Sequence, residues 1–100
     1  MKKVTESYEQ GLQEDLAEPA EAAAYLNAAL EDDSLEVFLL ALKDVTNTRG
    51  VTNIARKTKL NRENLYRMLS ARGNPNLRSL NSVLHSIGLK LSVEVENHVE

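Results

Sequence analysis

The sequence predicts a mainly α chain, a five-helix bundle ending in one short C-terminal β-strand. Three observations carry that prediction. Apolar residues recur at helical spacing from Tyr8 to Ile87. Cap and stop residues (Pro19, Ser34, Gly50, Asn61, Asn76 and Gly88) punctuate the pattern. From Leu89 onward the spacing changes to strict alternation.

Each element follows from its residues. Ser7 and Gln10 have capping-box spacing, and Tyr8, Leu12 and Leu16 form a stripe behind them. Gly11 costs this helix about 1 kcal/mol relative to alanine, so it is marginal. Pro19 suits the first position of the next helix, because its missing N–H would lack a partner there anyway. That helix runs to Leu30 with Ala23, Leu26 and Leu30 on one face, and Asp32-Asp33-Ser34 stops it and caps its successor. Leu35, Phe38, Leu39, Leu42 and Val45 stripe the third helix, which Gly50 ends. Two short pieces follow, about 52–58 and 62–70, parted by Lys59-Leu60-Asn61. Gly73-Asn74-Pro75-Asn76 is a turn whose last residue caps a helix striped by Leu77, Leu80, Val83, Leu84 and Ile87. Last, Leu89, Leu91, Val93 and Val95 alternate with polar residues as a half-buried strand. A lone strand leaves its backbone groups without partners, so its neighbour is expected to be a second copy or another protein, the alternative being an extended tail lying on the helices. The predicted organisation is an acidic N-terminal arm over 1–18, one domain over 19–96 and a tail over 97–100.

One hundred residues, 42% of them hydrophobic, suit one small globular domain. No run approaches the roughly 18 apolar residues of a membrane span, and no signal-peptide core follows Met1-Lys2-Lys3. The absence of cysteine excludes disulfides, a thiol nucleophile and thiolate metal sites, and fits a cytoplasmic location.

The net charge of −3 argues at first against nucleic acid. Its distribution argues the opposite. Residues 1–42 hold two lysines against ten acids, a balance of −8. Residues 43–91 hold ten bases against Asp44 and Glu63, a balance of +8, and the last nine residues add −3. Such asymmetry points to nucleic acid on one side or to two different partners.

The basic block contains the two short helices and their three-residue turn, the spacing of a helix-turn-helix. Ile54 and Ala55 face inward from the first helix, Leu60 plugs the turn, and Leu65, Met68 and Leu69 face inward from the second. Arg62, Glu63, Tyr66 and Arg67 are left on the outer N-terminal face of the second helix, the part that enters a major groove. Arg62 and Arg67 suit guanine, and Tyr66 suits a thymine methyl or a phosphate. Glu63 suits the helix dipole or a cytosine amine, with the dipole favoured. Thr52 and Asn53 head the first helix, where free N–H groups favour a phosphate. Arg56, Lys57, Lys59 and Arg72 flank the groove as phosphate neutralisers, and Asn61 caps the second helix within the same DNA-facing set.

Residues 21–94, with the blocks "AAAYLNAALE", "LALKDV" and "GNPNL…VLHSIGLKLSVE", closely resemble the addiction-module antidote family. These are HigA-like helix-turn-helix antitoxins related to phage-repressor-type (XRE) regulators. The resemblance implies a small dimeric antitoxin that neutralises a RelE/ParE-like toxin by direct binding and represses its own operon. The unpaired terminal strand makes Leu89, Leu91, Val93 and Val95 the expected dimer or toxin contact, and the basic toxins that the resemblance implies make the acidic half their expected face. One departure stands out, because the family usually places glycine in the turn where this chain has Lys59.

Two other readings share these residues: a free-standing repressor without a toxin, and a protein-binding adaptor that uses a helix-turn-helix shape and needs no salt-dependent DNA affinity. An enzyme is not expected. His85 and His98 are the sole histidines, with no metal spacing or phosphate loop, and no cofactor or metal is implied. Tyr25 and Phe38 read as core residues.

Overall fold

A computed structural model of the chain describes residues 16–32, 34–70 and 72–96. The marginal helix expected within the arm and the tail with His98 lie outside the described residues.

Five helices make up the regular structure of the described residues: α1 (Pro19–Leu30), α2 (Leu35–Arg49), α3 (Val51–Thr58), α4 (Arg62–Met68) and α5 (Leu77–Ser86). Their starts follow local chemistry. Pro19 opens α1, the Ser34 hydroxyl accepts from the Glu36 N–H, and Asn76 Oδ1 accepts from the Ser79 N–H at 2.8 Å. The α1–α2 turn is tightened by Asp32 Oδ1, which accepts from the Ser34 N–H at 2.9 Å.

α1 packs along α2, α3 touches α2, α4 and α5, and one core runs through all five. Leu39, Leu42 and Val45 of α2 lie at its centre with at most 1% of their surface exposed, and Leu16 joins it ahead of Pro19. Tyr25 is half-buried against this core, and its hydroxyl donates to Asp44 at 2.8 Å, tying α1 to α2.

Three stripes depart in part from the sequence expectation. In α1 the inward face is Ala22, Leu26 and Ala29, and Leu30 is 55% exposed. An alanine-rich helix looks much the same on several sides, so its pattern does not select a face. The first leucine of α2 and of α5 also stands in solvent, Leu35 at 58% and Leu77 at 70%. Both sit in the opening turn, before their helices reach a neighbour.

The expected C-terminal strand is absent from the described residues. After Gly88 the chain continues as coil. Leu89 is half-buried against the core, Leu91 is 41% exposed, and Val93 and Val95 are more than nine-tenths exposed. The physical reason is pairing. Alternation states what a sheet face would need, but no described segment offers this stretch a ladder of backbone partners. No helix of the described residues is long and apolar enough to cross a membrane.

The depth of the α2 core gives a direct test. Leu42→Ala is expected to cost about 2–5 kcal/mol in chemical denaturation, and Leu77→Ala less than about 0.5 kcal/mol, although both belong to apolar stripes. Equal losses would contradict this packing.

Candidate nucleic-acid interface

The basic block is presented by α3, its turn and α4. α3 begins directly from Gly50, which ends α2 and caps α3 with φ 92° and ψ 115°. That positive φ is the one expected for a residue ending α2, although ψ lies outside the left-handed helical well, and glycine reaches it without strain. The inward set forms as the spacing predicts. Ile54, Ala55, Leu65, Met68 and Leu69 are buried, and Leu60 is half-buried against them.

The turn carries the unusual backbone. Lys59, at φ 62° and ψ 20°, is the one non-glycine among the described residues with a positive φ. The lysine therefore occupies the left-handed conformation that glycine would take without a Cβ clash. A neighbouring hydroxyl braces it. Thr58 Oγ1 donates to the Ile54 carbonyl at 2.8 Å and accepts from the Leu60 N–H at 3.3 Å. Sequence reasoning missed Thr58, whose role appears only once the turn geometry is known. Asn61 Oδ1 then accepts from the Asn64 N–H at 2.7 Å and opens α4.

With the inner side committed, the outer side is polar. Arg62, Glu63, Tyr66 and Arg67 are exposed on α4, with Glu63 in its first turn. Thr52, Arg56, Lys57 and Lys59 are exposed along α3 and its turn, and Asn53 is half-exposed. Asn53 Oδ1 accepts from Arg56 Nη2 at 2.7 Å, which holds that guanidinium along the helix.

Two hollows collect some of these side chains. One, of about 440 Å³, brings Arg67 and Arg72 together with Asn64, Asn74, Asn76 and Ser79. Gly73 shapes its rim. A Cβ there would collide with the Met68 carbonyl oxygen, so only glycine lets the chain pass this close to the end of α4. The other hollow, of about 640 Å³, brings Lys57 and Lys59 together with Asn81, Ser82, His85 and Ser86. Sequence reasoning left those four α5 residues out, because no local signal says that α5 packs beside α3. Arg62, Glu63 and Tyr66 line neither hollow and stand on the open face of α4. Among the described residues no cluster of three or more His, Asp or Glu could hold a metal ion.

This is a surface of cations, amides and hydroxyls on a small helical frame. Residues 6–95, nine-tenths of the chain, match the family described as "Probable addiction module antidote protein". The chain belongs to the addiction-module antidote family. An uncharacterized protein of Haemophilus influenzae is 36% identical over 81 residues, covering 81% of this chain and 84% of that one. No solved structure matches significantly. An antidote acts on a toxin, so a toxin of some kind is a partner of this chain.

The strained turn of this antidote makes a prediction. Lys59→Gly removes a left-handed penalty of about 1–2 kcal/mol against a glycine entropy cost of about 0.5–1 kcal/mol, so the melting temperature is expected to rise by a few degrees. Thr58→Val leaves the Leu60 N–H unpaired and is expected to cost about 1–3 kcal/mol. A lower midpoint for Lys59→Gly, measured by circular dichroism, would mean the turn is not strained.

Proposed function

We propose that this chain is the antitoxin of a type II toxin–antitoxin module, HigA-like in type. In this reading it neutralises a RelE/ParE-like toxin by direct binding in the cytoplasm. It also represses its own operon by binding operator DNA as a homodimer, with no catalysis of its own. Family membership supplies the antitoxin role. The observation that carries the DNA half is the division of the α3–α4 pair. Its apolar side chains are buried, and Arg62, Tyr66 and Arg67 stand exposed on the same seven-residue helix.

In this reading α3 and α4 act as a helix-turn-helix, with α4 entering the major groove. Arg62 and Arg67 hydrogen-bond base edges, and Tyr66 packs on a thymine methyl or a phosphate. Thr52, Asn53, Arg56, Lys57, Lys59 and Arg72 hold the sugar-phosphate backbone, and Asn61 acts through its cap on α4. Glu63 offsets the dipole of α4. The exposed Leu91, Val93 and Val95, continuing from Leu89, are apolar side chains free to meet a protein, whether toxin or second copy.

Binding to the DNA upstream of the chain's own gene, followed by fluorescence anisotropy, tests the reading. Arg62→Ala and Arg67→Ala are each expected to weaken operator binding by about 1–3 kcal/mol and to spare unrelated DNA. Equal weakening on both DNAs would reassign them to phosphate contacts. Lys57→Ala is expected to reduce the slope of log affinity against log salt by about 0.9. The operator complex is expected to hold two chains whose α4 helices lie about 34 Å apart, and a single chain per operator at saturation would contradict the dimer.

A further inference from the structure

An apolar groove of about 420 Å³ lies away from the basic pair, and no residue of α3 or α4 lines it. Leu26 and Leu30 of α1, Phe38 of α2, Leu84 of α5, and Leu89 and Leu91 of the C-terminal coil form its walls. Leu26, Phe38 and Leu84 are buried in its floor, and Leu30 and Leu91 are 55% and 41% exposed at its lips. Across the short α1–α2 turn Leu35 adds a third exposed leucine, at 58%. Buried floor and exposed lips form the shape of a socket for apolar side chains.

We infer that this groove is the toxin-binding surface, and that the toxin face it receives is basic and carries apolar side chains. The inference rests on the antitoxin reading and names the surface that reading needs. Charge selects the occupant. From Val4 to Leu42 the chain contains no lysine or arginine. Glu18, Glu21, Glu31, Asp32 and Glu36 are exposed on α1, the turn and the start of α2. Glu94 lines the groove itself, and Lys90 is the one cation among its described lining residues. DNA is repelled by such a corner. A second copy is disfavoured as well, because a two-fold contact would set one acidic corner against the same corner of its partner. Docking the groove on the basic half of another copy would be heterologous and open-ended, building a filament instead of a closed dimer. A basic protein face satisfies both the apolar socket and its acidic surround.

The test uses the full chain and the protein encoded beside its gene. Binding is measured by calorimetry at two salt concentrations, beside sedimentation of the antitoxin alone and operator binding. Leu30→Glu and Leu91→Glu alter exposed side chains, and circular dichroism checks that both variants fold. Each is expected to weaken the protein complex about tenfold or more, and Leu30→Glu is expected to leave operator binding unchanged. Glu31→Lys with Asp32→Lys is expected to weaken the complex chiefly at low salt. Three results overturn the inference. If wild type binds the partner and the Glu variants bind it equally well, the groove is not the site. If the variants instead change the sedimentation mass and leave the complex intact, a second copy occupies the groove. If wild type does not bind the partner at all, the antitoxin reading falls and this inference falls with it.

Discussion

The direction in which α4 leaves α3 depends on one left-handed residue. Lys59 reverses the chain in three residues, and without its positive φ the Ile54–Ala55 face would not meet Leu65, Met68 and Leu69. The strain is held by covalent neighbours and by core packing. Thr58 satisfies the Leu60 N–H on one side, Asn61 caps α4 on the other, and Leu60 rests on the core between them. Everything exposed on α4 inherits its position from that arrangement. A lysine at the reversal also adds a cation where glycine would add nothing. The same residue thus carries a backbone cost and joins the hollow that holds Lys57 and His85.

The second organising constraint is charge. The net charge of −3 conceals two large and opposite blocks that cancel, leaving the charge of the last nine residues. Their boundary falls within α2, between Leu42 and Lys43. The packed face of that helix is continuous through Leu39, Leu42 and Val45, and its solvent face changes sign along its length. One rigid element therefore supports an acidic corner at one end and leads into a cationic pair at the other.

The legible parts of the fold were those decided within a few residues. Ser34, Asn61 and Asn76 cap helices because a side-chain oxygen reaches an N–H two or three positions on. The inward face of α3 and α4 was legible too, because polar and apolar residues alternate sharply there. What stayed hidden depends on partners distant in sequence. The alternation from Leu89 to Val95 reads as a strand, but a strand exists only where another lies beside it. The exposure of Leu35 and Leu77 follows from where neighbouring helices end, and the shared hollow of His85, Lys57 and Lys59 follows from α5 packing on α3. For the candidate interface, the cations were readable from the sequence and their hollows were not.

The two surfaces differ in how they would communicate. Coupling by a change of shape needs an element with two arrangements. Between the groove and α4 lie Phe38, Leu39, Leu42, Val45, Ile54 and Leu65, all 5% exposed or less and members of one packed core. Electrostatics needs no such element. A basic protein seated on the acidic corner would cancel the field that this corner projects toward an approaching duplex, and it would add positive charge to the complex. Linkage makes the effect reciprocal, so operator DNA would favour the toxin-bound form to the same degree. Under the proposed function the acidic half would be more than a solubilising surface: it would hold down the DNA affinity of the free antitoxin, and the partner that covers it would remove that restraint.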